Sequence, residues 1–109
     1  MNKVPVQQPD LTPKQVAIIK NECDVRQWAV SQALRHAMIE TLKMVRENGC
    51  DGFSEDAQTL QNQRPFVRLQ STVYIDQETK DEIVKVCEQA GLTVADYIRW
   101  SVHKTYQEA

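Results

Sequence analysis

The chain has 109 residues, of which 41% are hydrophobic and 26% charged, and its formal net charge is -2. This composition is typical of one globular domain, or of a small domain with an extension, and not of a disordered polypeptide. No run of about eighteen apolar residues is present, so the sequence predicts no membrane span. The slightly acidic balance disfavours nucleic-acid binding by electrostatics alone, because phosphate neutralisation supplies much of that affinity.

The first half of the chain predicts a flexible arm followed by helix. Residues 1–10 contain Pro5 and Pro9 among polar residues and lack the apolar core of a signal peptide. Thr12 is suited to cap a helix that has Pro13 at its first position. Helical periodicity then continues to Gly49, so residues 11–49 are expected to form a helical extension, either as one helix or as two with a break near residues 21–24. A short strand over residues 16–19 is the competing interpretation.

Residues 50–66 are expected to form a linker. Gly52 and several acidic or amide residues dominate its first part, residues 50–63, where Phe53 and Leu60 are the only large apolar side chains. With so few apolar anchors, residues 64–109 are expected to fold and dimerise without residues 1–50.

A β-strand is predicted over residues 71–76. Because side chains alternate faces along a strand, an inward set (Leu69, Ser71, Val73, Ile75) and an outward set (Arg68, Gln70, Thr72, Tyr74) follow. The outward groups can donate and accept hydrogen bonds toward base edges in a major groove. A lone strand leaves unpaired backbone groups, and a second copy of the same strand would pair them. The sequence therefore predicts a homodimer.

Two helices are predicted after the strand. Asp76 is a suitable N-cap, an apolar stripe follows, and Gly91 is suited to end the first helix. Thr93 and Asp96 have the spacing of a capping box for the second helix.

The order strand, helix, short turn, helix over residues 69–106 resembles the ribbon-helix-helix class of DNA-binding proteins, which includes Arc and MetJ. The phrase GLTVADYIR is most similar to plasmid relaxosome accessory and mobilisation proteins. The resemblance implies a mainly α fold in which residues 67–109 form the DNA-binding domain, with one intermolecular antiparallel β-ribbon per dimer.

The resemblance also implies a function and its residues. Gln70, Thr72 and Tyr74 would contact bases, Arg68 would reach a base or a phosphate, and the main-chain N–H groups of Thr93 and Val94 would meet a phosphate. The implied role is that of a transcriptional repressor or a plasmid transfer accessory factor. Arg99 lies on the second helix away from the ribbon, so neutralising it is expected at most to lower affinity uniformly. The alternative is a protein-interaction module, such as an antitoxin or an assembly adaptor, that binds a partner through residues 11–49.

Enzymatic and metal chemistry find no support in the sequence. It has no Gly-rich phosphate loop and no G-x-S-x-G motif. Its two histidines lack spaced Cys or His partners, and the three cysteines lie far apart. We therefore expect a cytoplasmic protein with free thiols, no cofactor and no catalytic residues.

Overall fold

The computed structural model of the chain describes residues 3–107. Four short strands, five α-helices and a π-helical turn follow one another in this order: β1 (Lys3–Val6), β2 (Asp10–Leu11), α1 (Pro13–Arg26), α2 (Val30–Asn48), α3 (Phe53–Gln61), β3 (Val67–Arg68), β4 (Val73–Asp76), α4 (Gln77–Ala90), α5 (Val94–Val102) and the π-helical turn (His103–Gln107). None of the helices in this part of the chain is long and apolar enough to cross a membrane.

The expected ribbon-helix-helix fold, with one intermolecular ribbon per dimer, is wrong. β4 pairs antiparallel with β1 of the same chain, in a register that places Val4 opposite Ile75 and Val6 opposite Val73. A second two-stranded sheet joins β2 to β3. Residues 3–10, expected to be part of a flexible arm, and Leu11, expected to begin the helical extension, supply one strand to each sheet, so β4 has a strand partner within its own chain. The first two residues of that arm lie outside the described residues.

The two helices of the extension begin and end largely for the predicted local reasons. α1 starts with Pro13 after a capping box, in which Thr12 accepts from the Gln15 main chain and the Gln15 side chain accepts from Thr12. This confirms the predicted helix start and excludes the strand over residues 16–19. The break lies slightly beyond the expected place, where Gln27 adopts a left-handed backbone with φ of 58°.

Where a linker was expected, residues 53–61 form the helix α3. Phe53 is fully buried and stacks on Trp100 of α5 with ring centroids 4.4 Å apart. The indole Nε1 of Trp100 also donates to Asp56 over 3.0 Å. α3 therefore packs directly on α5, and Ala57 and Leu60 extend the buried side of the helix.

α4 and α5 have the predicted boundaries. Asp76 is the N-cap residue of α4, and Gly91 ends that helix with φ of 70°. Thr93 and Asp96 form the capping box of α5. In β4, Val73 and Ile75 are buried, as the alternation predicted.

One hydrophobic core contains residues from both sides of the expected linker. α2 crosses its centre and buries Leu34, Met38 and Leu42 among side chains of α4, α5 and the β1–β4 ribbon. The hydroxyl of Tyr97 on α5 donates to the main-chain oxygen of Met38 over 2.8 Å. Residues 11–49 are thus packed into the same core as residues 67–107.

Candidate nucleic-acid interface

Tyr74 lies on the outward face of the β1–β4 ribbon. Its neighbours Val73 and Ile75 point into the core and are 1% and 2% exposed, whereas Tyr74 is 48% exposed. Its register partner across the ribbon is Pro5, and the next pair joins Lys3 to Asp76. An aromatic ring with a polar hydroxyl therefore stands at the centre of a narrow two-stranded surface.

Three cationic side chains border this surface. The Arg35 guanidinium, on α2, donates through Nε to the main-chain oxygen of Tyr74 over 2.9 Å. The ammonium group of Lys80, on α4, donates to the main-chain oxygen of Pro5 over 3.1 Å. Lys3 is exposed at the start of β1. We call Lys3, Arg35, Tyr74 and Lys80 the ribbon cluster.

The ribbon cluster has acidic neighbours at the start of α4. Asp76 precedes the helix, Glu78 lies in its first turn, and Asp81 accepts from the Gln77 side chain over 2.8 Å. These carboxylates lower the local electrostatic potential. An anion approaching the ribbon must therefore be held by short-range contacts with the three cations more than by a broad positive field.

Gln70 and Thr72 are exposed, but they precede β4 and are not part of a strand. Thr72 is two residues from Tyr74, so it adjoins the ribbon. The expected single outward face from residue 68 to residue 74 does not form, because β3 ends at Arg68 and β4 begins at Val73.

Arg68 is already held by a carboxylate. Its guanidinium donates to both carboxylate oxygens of Asp10, over 2.9 and 3.1 Å, across the β2–β3 sheet. The hydrogen bond from Arg68 holds the pKa of Asp10 below its usual value, and the same bond raises the pKa of Arg68. The structure thus places Arg68 on the smaller sheet, in an ion pair, and Tyr74 on the ribbon.

Thr93 and Val94 lie at the start of α5, where a carboxylate already occupies the helix N-terminus. The main-chain N–H of Thr93 donates to Asp96 over 3.0 Å, and its hydroxyl donates to the same oxygen at the same distance. A phosphate at this position would compete with a bound carboxylate. Thr93 is exposed and Val94 is half-buried.

Arg99, whose neutralisation was expected at most to lower DNA affinity uniformly, is 5% exposed. Its guanidinium donates to Asp96 and to the main-chain oxygen of Asp10, both over 2.8 Å, and lies 4.1 Å from the centre of the Phe66 ring. It joins α5 to β2 in the interior. Its guanidinium is therefore engaged in the interior and does not face solvent.

Asp96 forms the centre of this buried polar network. Burial raises the pKa of its carboxyl, but hydrogen bonds from Thr93, Gln61 and Arg99 outweigh that effect and hold the pKa below its ordinary value. The network satisfies a carboxylate that is 3% exposed. Its contribution is structural, because it ties α3 and β2 to α5.

The sequence indicated Tyr74 and Thr72 but missed Lys3, Arg35 and Lys80. The signal for Lys3 was the alternation of Val4 and Val6 around Pro5, a short strand pattern with a proline at its centre. No local pattern links Arg35 or Lys80 to the ribbon, since each reaches it through the tertiary fold.

No group of three or more His, Cys, Asp or Glu side chains within residues 3–107 is arranged to hold a metal ion. Comparison of the chain with models of known protein families, with curated proteins and with solved structures finds no match.

Proposed function

We propose that this chain is a sequence-specific, cytoplasmic binder of double-stranded DNA that inserts the outward face of the β1–β4 ribbon into the major groove. The observation that carries the proposal is the exposed Tyr74 at the centre of a two-stranded ribbon bordered by Lys3, Arg35 and Lys80. The major groove of B-DNA, about 12 Å wide, admits a two-stranded ribbon.

The side chains on and beside this face have the chemistry that base contacts need. The Tyr74 hydroxyl donates and accepts, as do the hydroxyl of Thr72 and the amide of Gln70. In this proposal these three groups contact base edges, with Tyr74 at the centre.

In this proposal the three cationic side chains contact DNA phosphates. Arg35 uses Nε for the Tyr74 main chain, and its terminal N–H groups are donors that suit a phosphate. Lys80 uses one of its three ammonium donors for Pro5. Lys3 would reach the DNA backbone from the first position of β1.

The number of cations sets the expected salt dependence. Each neutralised phosphate contributes about 0.9 to the slope of log affinity against log salt, so three contacts give a slope of roughly -3. This is shallow for a DNA-binding protein and agrees with a net charge of -2.

Such binding would serve a transcriptional repressor or a plasmid transfer accessory factor. The duplex that the protein selects distinguishes these roles, because one lies at a promoter and the other at a transfer origin. If the protein selects no duplex, the alternative function, a protein-interaction module, is favoured instead.

The test is selection from a random-sequence duplex pool, followed by fluorescence anisotropy on the selected and a scrambled duplex. We expect Tyr74→Ala to weaken binding to the selected duplex about tenfold or more and to reduce the preference over the scrambled one, since a good base contact contributes about 1–3 kcal/mol. Lys3→Gln is expected to weaken binding to both duplexes similarly.

The matched control is Lys14→Gln, which neutralises an exposed lysine on α1 and is expected to bind like the wild type. If no duplex is enriched, or if folded Tyr74→Ala binds as tightly as the wild type, the ribbon does not contact DNA.

A further inference from the structure

A cleft of about 350 Å³ lies between the end of α1, the middle of α2 and the π-helical turn. Its volume is at the lower end of the range for small-molecule sites. None of its lining residues belongs to the ribbon cluster. Whatever it binds is therefore separate from the proposed DNA contact.

The α2 side of the cleft has helical spacing. His36, Glu40, Thr41 and Met44 line it. Residues three or four positions apart share one side of a helix, which relates His36, Glu40 and Met44 to one another and Thr41 to Met44. The carboxylate of Glu40 forms an ion pair with the ammonium group of Lys43 over 2.9 Å. This hydrogen bond holds the pKa of Glu40 below its usual value, so the carboxylate is charged but already paired.

Arg26 enters the cleft from the last turn of α1 and is held in place by two contacts. Its Nε donates to Glu22 over 2.8 Å, and its guanidinium carbon lies 4.8 Å from the centre of the Trp28 ring. The Trp28 ring is in turn 5.2 Å from the ring of His36. A guanidinium fixed in this way loses little rotamer freedom when it binds an anion.

Thr41 supplies an independent indication of a ligand. It is 2% exposed, and its hydroxyl has no hydrogen-bond partner among the described residues. Two other helical hydroxyls of this chain donate to the carbonyl four residues earlier: Ser101 to Tyr97 over 2.8 Å and Thr59 to Glu55 over 3.1 Å. A buried hydroxyl that lacks this bond, in a residue that lines a cleft, needs a partner, and a bound group that reaches it would supply one.

The opposite wall comes from the π-helical turn, which contributes Lys104 and Thr105. π-helical turns are rare and occur frequently at functional sites. This wall adds a second cation and a second hydroxyl to the cleft. Arg26 is paired with Glu22 and Glu40 with Lys43, so with these partners included the three cations Arg26, Lys43 and Lys104 outnumber two carboxylates.

We propose that this cleft binds a small oxyanion, a carboxylate or phosphate compound, through Arg26 and Lys104, with the Thr41 hydroxyl as a further donor. The charge balance selects an anion, and the volume limits it to a small molecule. The proposal is independent of DNA binding, since it rests on a different surface.

The test is titration of the ¹⁵N-labelled full chain with inorganic phosphate and, separately, with citrate, at constant ionic strength with chloride as the reference. We expect saturable amide shifts for at least one probe, confined to residues near 26, 36, 40, 41, 104 and 105. Phosphate and citrate distinguish a phosphate-binding site from a carboxylate-binding site.

Two matched pairs of variants locate the site. Arg26→Gln is expected to weaken binding at least fivefold, whereas Arg46→Gln, which removes an exposed arginine also paired with a glutamate, should stay within twofold of the wild type. Thr41→Val should weaken binding at least threefold, against Thr59→Val as its control. If Thr41→Val fails to fold, the comparison of Arg26→Gln with Arg46→Gln decides whether the cleft binds the anion.

Shifts that do not saturate with either probe, shifts spread over the surface, or unchanged affinity in Arg26→Gln would overturn the proposal.

Discussion

The guanidinium of Arg35 donates to the main-chain oxygen of Tyr74 over 2.9 Å. Across the ribbon, Lys80 donates to the main-chain oxygen of Pro5, the register partner of Tyr74. The main-chain oxygens of Tyr74 and of its register partner Pro5 thus each accept a hydrogen bond from a cationic side chain. A proline, which lacks an N–H donor, is tolerated at such an edge position. The ribbon is completed within the chain, and each of its strands has a covering contact on its outer edge.

The first prediction concerns the oligomeric state in the absence of DNA. The dimer was expected because β4 appeared to lack a partner, and β1 now supplies one. With cations over both edges, pairing of strands between molecules is disfavoured. We expect sedimentation equilibrium to give a monomer at micromolar concentration.

Arg35→Met combined with Lys80→Met should increase self-association, because both cations are removed from the ribbon edges. Arg46→Met, on the same helix as Arg35 but paired with Glu82, is the control. A wild-type chain that sediments as a tight dimer through residues 69–75 would contradict the prediction.

The second prediction tests the contribution of α3 to the core. Phe53 is fully buried between Tyr97 and Trp100, with centroid distances of 6.1 and 4.4 Å. Phe53→Ala should lower the free energy of unfolding by about 3–5 kcal/mol, as large truncations in well-packed cores do. Ser54→Ala, at the exposed neighbouring position, should change it by no more than about 0.5 kcal/mol. Urea denaturation measures both, and a small effect at Phe53 would mean that α3 is a loosely attached linker.

The third prediction concerns residues 64–109 alone, which the sequence led us to expect to fold. The fragment lacks β1, the strand partner of β4, and Phe53, the ring stacked on Trp100. It also lacks Met38, whose main chain accepts from the Tyr97 hydroxyl. Circular dichroism of the fragment should show a disordered chain beside a helical full-length protein. A cooperative thermal transition in the fragment would contradict this.

The fourth prediction concerns acid stability. The pKa of Asp96 is lower in the folded protein than its ordinary value of 3.8. A lowered carboxyl pKa stabilises the fold fully above the ordinary value, and this stabilisation is lost as the pH falls through the folded-state pKa. The free energy of unfolding should therefore decrease as the pH falls from about 5 through the folded-state pKa of Asp96.

Asp96→Asn should destabilise the protein at neutral pH by about 3 kcal/mol, because Arg99 would remain buried without its carboxylate. It should also reduce the loss of stability on acidification. Asp51→Asn, at an exposed position, is the control. Equal acid sensitivity in Asp96→Asn and the wild type would show that Asp96 does not set it.

Local chemistry explains which elements were predictable. The caps of α1, α4 and α5 act within four residues, so Thr12, Gly91 and Thr93 marked helix ends without knowledge of the fold. The alternation of Val73 and Ile75 likewise marked the buried side of β4.

Non-local contacts explain what was missed. β1 has two inward valines around a proline, too short a pattern to distinguish from an arm, and only pairing with β4 makes it a strand. α3 contains few apolar residues, but Phe53 meets Trp100, which lies 47 positions later in the chain. Only part of the candidate site was predictable for the same reason. The outward position of Tyr74 follows from the alternation of side chains along its strand, whereas Arg35 and Lys80 reach the ribbon from helices α2 and α4.

DNA binding through the ribbon is tested by an NMR titration of the ¹⁵N-labelled full chain with the duplex that it selects from a random pool. We expect saturable amide shifts at residues 3–6 and 72–76, at Arg35 and at Lys80, with little change along α1. Shifts centred on the start of α5, or no saturable shift with any selected duplex, would contradict DNA binding through the ribbon.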